Sequence, residues 1–142
     1  MSEENVEIVR GLQPQADLAV LFRDDPTAAA TIEAAAAFFE PDFESVFVQP
    51  VENSTATGFA GLRAAWIDWL TPWESYRTEI EDIVDLGDRV AVLTRDFGRR
   101  KGMEREVDFK GVAIYIFRGS RIARIEFHFD RAEGLEAAGL SE

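Results

Sequence analysis

The 142-residue chain contains no cysteine. That single absence excludes disulfides, thiolate metal centres and cysteine nucleophiles together. Histidine is nearly absent, with His128 the one example. One His, no Cys and no clustered carboxylate motif fall short of a metal-ligand set, so no metal and no cofactor are expected. Positive charge is scarce. Lys plus Arg number 15 against 27 Asp plus Glu, a formal net charge of −12. Such a chain repels phosphate backbones, so no nucleic acid is expected as a partner. Long hydrophobic runs are missing as well. The longest, 34–39 and 112–117, hold six residues each, against the roughly 20 that span a bilayer. No membrane partner is expected. Residues 1–10 are acidic and lack the apolar core of a signal peptide, so a cytoplasmic location is expected. Neither a Gly-rich phosphate loop nor G-x-S-x-G occurs.

What is present is an ordinary globular composition, 46% apolar and 30% charged. It suits a single domain over residues 1–142. The first half reads as helices. Val6, Val9 and Leu12 form the stripe of a short acidic helix, which Gly11 and Pro14 end. A short apolar turn covers 18–22. Asp25-Pro26 opens a helix over about 27–40, which Pro41 stops. Residues 43–48 suit a short strand and 49–58 a loop. Leu62, Ala65, Trp66, Trp69 and Leu70 then recur at three- and four-residue spacing, which predicts a third helix over 58–71.

The second half alternates with period two. Strands are expected over 76–86, from Val90, over 107–117 and over 122–129, joined by short turns as an antiparallel meander. The one basic cluster, 95–105, has Gly98 and Gly102 bracketing Arg99, Arg100 and Lys101, and it reads as a solvated hairpin tip. Asp130, with Glu133 three positions on, caps a last helix that Gly139 terminates. Helices followed by a meander predict an α+β fold whose sheet curls around three N-terminal helices.

This order of elements resembles the nuclear transport factor 2-like superfamily and, within it, SnoaL-like domain proteins. The resemblance is carried by ENVEIVR at 4–10, GFAGLRAAWIDWLTPWESY at 58–76, DLGDRVAVL at 85–93 and IARIEFHFDRAEGLEAAGL at 122–140. It implies a cone-shaped curved antiparallel sheet, a four-strand meander plus a short N-terminal strand, wrapped around the helices, with an apolar pocket at the open end. It also implies activities among relatives that range over polyketide cyclisation, ketosteroid isomerisation, dehydration and epoxide hydrolysis. Fold does not transmit function. The paired histidines of dehydratase relatives cannot be assembled from His128 alone. Arg77 and Glu79 have the two-residue spacing of the epoxide-hydrolase set, but the acid is Glu and no second partner can be assigned.

Two weak catalytic candidates emerge. Asp96 could abstract a proton beside a carbonyl, and since neighbours on a strand face opposite ways, only one of Arg95 and Asp96 can point inward. His128 could shuttle a proton. Alternation, however, puts Arg124, Glu126, His128 and Asp130 opposite Ala123, Ile125, Phe127 and Phe129, and burial cost favours the apolar set inside. Glu126 is then expected to pair with Arg124 or with a partner-subunit residue, and Asp130, a carboxylate that could also be catalytic, suits a helix cap. Trp66, Trp69, Trp73, Tyr115 and Phe127 are the expected ligand-binding side chains, with Trp69, Trp73 and Tyr115 nearest the mouth. Each also suits plain core packing, worth about 1.5–3 kcal/mol per side chain.

Three functions fit. The first is binding of a small apolar or carbonyl-bearing molecule in the cone. The second is acid/base isomerisation, cyclisation or dehydration. The third is a structural or interaction module whose cavity is filled by its own side chains. A homodimer is also expected, because Val112, Ile114 and Ile116 make the 107–117 strand apolar on its outer side as well.

Overall fold

The computed structural model describes residues 2–13, 17–19, 35–49 and 52–140. Helix α1 (Ser2–Leu12) is followed, after a 3-10 turn at Ala36–Phe38, by strands β1 (Phe39–Val48) and β2 (Ser54–Thr57). Helix α2 (Gly58–Leu70) leads into four long strands, β3 (Trp73–Asp85), β4 (Arg89–Arg100), β5 (Glu106–Arg118) and β6 (Arg121–His128), and helix α3 (Arg131–Ala138) closes the series. The strands form one curved, open sheet in the order β2-β1-β6-β5-β4-β3. β3 to β6 are the expected meander. Gly87, Gly102 and Gly119 stand at its turns with φ of +88°, +79° and +66°. A side chain there would cost roughly 1–2 kcal/mol.

Three expectations need correction. The helix expected over 27–40 does not reach Glu40. Residues 27–34 lie outside the described ones, and Phe39 already begins β1. Phe39 and Phe43 are buried in the core with Phe59, so tertiary burial outweighs the helical propensity of the alanines. Pro41 falls where the β1–β6 register shifts, between Phe39 and Glu44, an irregular stretch that spares it a ladder bond. Second, the expected 49–58 loop contains β2, which pairs antiparallel with β1, giving six strands where five were expected. Third, β1 runs parallel to β6, so the sheet is not wholly antiparallel. Of the 18–22 turn, Leu18 and Ala19 are buried, and 20–22 lie outside the described residues.

The concave face holds most of the core. Val90 and Val92 of β4, Ala113, Tyr115 and Phe117 of β5, and Ile122 and Ile125 of β6 pack there against Val9 of α1. Leu62 and Phe59 of α2 join them. Of the other expected stripe residues of α2, Trp66, Trp69 and Leu70 enter a second cluster with Trp73 and Tyr76.

The convex face is divided. One half is apolar, and α3 covers it: Leu135 and Ala138 pack on Ala91, Val112 and Ile114. The stripe that pointed to a homodimer is thus largely covered within the chain. Asp130 caps α3 by accepting from the Glu133 N–H at 3.0 Å, and Gly139 ends it at φ +81°. Arg131 fastens the helix to the sheet, donating to the Thr94 carbonyl at 2.7 Å, to the Gly111 carbonyl at 3.2 Å and to Glu81 at 2.6 Å. That hydrogen bond is the main reason the Glu81 carboxyl lies below its ordinary range. The other half is a solvated lattice in which Arg77 meets Glu79 and Glu106, Arg95 meets Asp108, and both arginines lie over Phe97. No helix among the described residues is long and apolar enough to cross a membrane.

Candidate functional site

β3 and β4 leave the hairpin in register, Asp85 opposite Val90, and a bulge between Ile80 and Asp82 then shifts the pairing by one. The shift places Thr78 opposite Asp96 and Tyr76 opposite Gly98. Tyr76, Thr78 and Asp96 consequently share the concave face. The Tyr76 hydroxyl donates to Asp96 Oδ2 at 2.6 Å, and the Thr78 hydroxyl to Oδ1 at 2.6 Å. Asp17 holds the strand from the other side, both carboxylate oxygens accepting from the Tyr76 N–H at 3.1 Å.

Asp96 is 6% exposed and Tyr76 0%. Burial raises the Asp96 carboxyl above the usual aspartate range, and hydrogen bonds from Thr78, Tyr76 and Thr94 offset only part of the rise. Burial also drives the Tyr76 phenol far up, helped by the Asp96 charge. Tyr76 therefore remains a protonated donor. The buried indole N–H of Trp69 has no well-formed acceptor, but it lies near enough to the Tyr76 oxygen to temper that rise slightly.

Aromatic rings enclose this polar pair. Trp73 meets Tyr76 edge-on at 5.5 Å and stacks with Phe109 at 6.3 Å. Trp69 stacks on Phe129 at 4.1 Å and 18°. Trp66 meets Phe127 at 5.2 Å and Phe47 at 5.1 Å. Gly98 explains why Trp73 can lie flat on β4. A Cβ there would come within 2.5–2.6 Å of the indole six-membered ring.

On the outer side of Trp69 and Trp73 is a hollow of about 230 Å3. Phe47, Ala65, Pro72 and the two tryptophans form its apolar wall, and Gln49, Ser54, Asp68 and Arg100 supply polar groups. Asp96 and Tyr76 do not line it.

The sequence candidates thus separate. Asp96 points inward, while Arg95 points outward to Asp108 at 2.8 Å, as alternation required. His128 lies on the convex face beneath α3, where a Cβ on Gly134 would come within 3.0 Å of its own Cβ. Its Nε2 is 3.3 Å from Glu126 Oε1, and its Nδ1 has no partner. Glu126 pairs with Arg124 at 3.0 Å. Trp69 and Trp73 line the hollow, and Trp66 and Phe127 pack in the layer beneath. Tyr115 is not at the mouth. It lies in the core cluster beside α1, accepting from Gln13 Nε2 at 3.3 Å, because β5 presents it to Val9 rather than to the tryptophans. Arg77 and Glu79 sit on the solvated outer face. Sequence reasoning did not reach Thr78 as a partner of Asp96, nor Gln49, Ser54, Asp68 and Arg100. For Thr78 the signal was the period-two pairing of the hairpin, which the bulge displaces by one residue.

Among solved structures of similar shape is a candidate SnoaL-like polyketide cyclase from Jannaschia sp. CCS1, with 18% identity, 89% of this chain and 85% of that chain covered, and a TM-score of 0.67. TerC, co-crystallised with polyporic acid, matches at 21% identity over 96% of this chain and 98% of its own, with a TM-score of 0.66. An NTF2-like protein of unknown function from Burkholderia pseudomallei K96243 matches at 21% identity, 94% and 95% coverage and a TM-score of 0.65. At such identities the likeness shows the fold alone. No curated protein matches the sequence. Residues 25–125, however, match the SnoaL-like domain family, and the chain belongs to that family.

Proposed function

We propose that this protein is a cytoplasmic binder of a small, flat, apolar or carbonyl-bearing molecule, held in the hollow against Trp69 and Trp73. The observation that carries the reading is the hollow itself, about 230 Å3 with two indoles in its wall and a few polar groups at its edge. That combination of apolar body and sparse polar contacts characterises small-molecule sites. A similar fold co-crystallised with polyporic acid supports it. The test is titration with a panel of aromatic ketones, read by tryptophan fluorescence and thermal shift. Saturable quenching with a raised Tm is expected. A panel that changes neither signal at millimolar concentration refutes the reading.

An acid/base enzyme is the second reading, and one observation favours it: Asp96 is a buried, inward carboxyl beside a protonated phenol. Such a carboxyl can take a proton from a carbon next to a carbonyl. The binding reading ranks first because Asp96 is outside the hollow. Exchange of a ketone's α-protons with deuterated solvent, abolished by Asp96→Asn, is the expected sign of catalysis. A homodimer would need a surface other than the one under α3, and light scattering showing only monomer at micromolar concentration disposes of it.

A further inference from the structure

Arg100 is distinguished from the other arginines around the sheet by lining the hollow. Arg77, Arg95, Arg124 and Arg131 each meet a carboxylate. Among the described residues no carboxylate meets Arg100 within ion-pair distance; its guanidinium lies over the Trp73 ring at 5.1 Å and lines the hollow. Stacking on an indole orients a guanidinium without consuming its N–H donors, which lie in the guanidinium plane. The site therefore presents an oriented cationic fork at the edge of an aromatic wall.

The geometry points to a planar aromatic monocarboxylate as the ligand of this hollow, its ring against Trp69 and Trp73 and its carboxylate on Arg100. The inference rests on the binding reading above and narrows it to one chemical class. Size agrees. An apolar cavity of about 150 Å3 takes one benzene ring, so about 230 Å3 has room for a ring with its carboxylate, up to a fused pair. Charge agrees also. In a chain of net charge −12, a small anion is not drawn in by the overall field, and an unpaired Arg is the local feature that can hold it. Asp68 on the same lining sets the limit, since its carboxylate repels a second negative charge. One anionic group is accepted and two are not.

The test compares 2-naphthoate with its neutral isostere 2-naphthamide by isothermal titration calorimetry, on the wild type, Arg100→Gln and Arg100→Lys. Arg100 is solvent-exposed, so the variants are expected to fold, and an unchanged Tm checks this. Naphthoate should bind about tenfold more tightly than naphthamide, and more weakly as salt rises. Arg100→Gln should erase about that tenfold while leaving naphthamide within about twofold. Arg100→Lys, which keeps the charge but not the fork, should fall between. Naphthalene-2,6-dicarboxylate should bind less tightly than naphthoate. Equal affinity for acid and amide overturns the inference, as does an Arg100→Gln variant that holds naphthoate as well as the wild type. If naphthamide binds and naphthoate does not, this inference falls alone. If neither binds, and the ketone panel fails too, the binding reading falls with it.

Discussion

The same substitution, glycine to alanine, should have opposite signs in two helices of this protein. Gly134 sits where α3 crosses the sheet. A Cβ there would lie 2.7 Å from Val112 Cβ, 2.8 Å from Val112 Cγ2 and 3.0 Å from His128 Cβ. Carbon atoms rest at about 3.5–4.0 Å, so the overlap is about 1 Å. A Cβ atom cannot swing aside, so the helix must lift. Lifting strains the Arg131 bonds to Thr94 and Gly111 and opens a gap under Leu135 and Ala138. Overpacking of this kind costs about 1–3 kcal/mol. Alanine returns up to about 1 kcal/mol through helix propensity. Gly134→Ala should therefore destabilise by about 1–2 kcal/mol, lowering Tm by about 2–8 °C at this chain length. Gly11 in α1 has nothing within 4 Å of its would-be Cβ. Gly11→Ala should raise stability by up to about 1 kcal/mol. Thermal unfolding followed by circular dichroism reads both, and amide exchange should show lost protection in α3 for the first alone. If Gly134→Ala matches or exceeds the wild type in Tm, the described seating of α3 on β5 is wrong.

Two further outcomes follow from the buried site. Gly98→Ala should displace the Trp73 indole, since its ring occupies the space the new methyl needs; the expected result is altered near-UV circular dichroism and weakened ligand binding, and an unchanged spectrum would contradict that packing. Asp96 holds its proton to higher pH in the folded chain than in the unfolded one, because burial opposes its charge. Its favourable contribution is complete below the ordinary aspartate range and is lost as pH rises through the folded value. Asp96→Asn, which cannot ionise, should thus gain stability relative to the wild type as pH rises from the ordinary aspartate range through the folded value. A flat difference in denaturant midpoints, or a trend of the opposite sign, rejects the assigned cause.

Sequence periodicity carries far in some places and stops in others for identifiable reasons. On β6 the opposition of Arg124, Glu126 and His128 to Ile125 and Phe127 follows from alternation alone, and the structure keeps it. The Asp130 cap and the Gly139 stop are local chemistry, readable over four or five residues. The partner of Asp96 was beyond reach. Carrying the Asp85–Val90 register along the hairpin would set Glu79 against Asp96, and the bulge at Ile80–Asp82 substitutes Thr78. Tyr115 shows a second limit. Alternation gives it the right face, but where along that face a side chain falls depends on sheet curvature and on the placement of α1. The cover over Val112 and Ile114 was missed for a third reason: α3 was legible as a helix, but the side of the sheet it returns to is set by the chain's path after β6.

The parallel pairing of β1 with β6 has a consequence for biosynthesis. Glu44 and Arg124 join although 80 positions apart in sequence. During translation β1 has only β2 as a strand neighbour until β6 has been made. For that interval its Phe43 and Phe47 have Phe59 and Trp66 of α2 for cover but not the neighbouring strand. Closing so distant a contact is slow, and the nascent polypeptide is open to aggregation until β6 is in place.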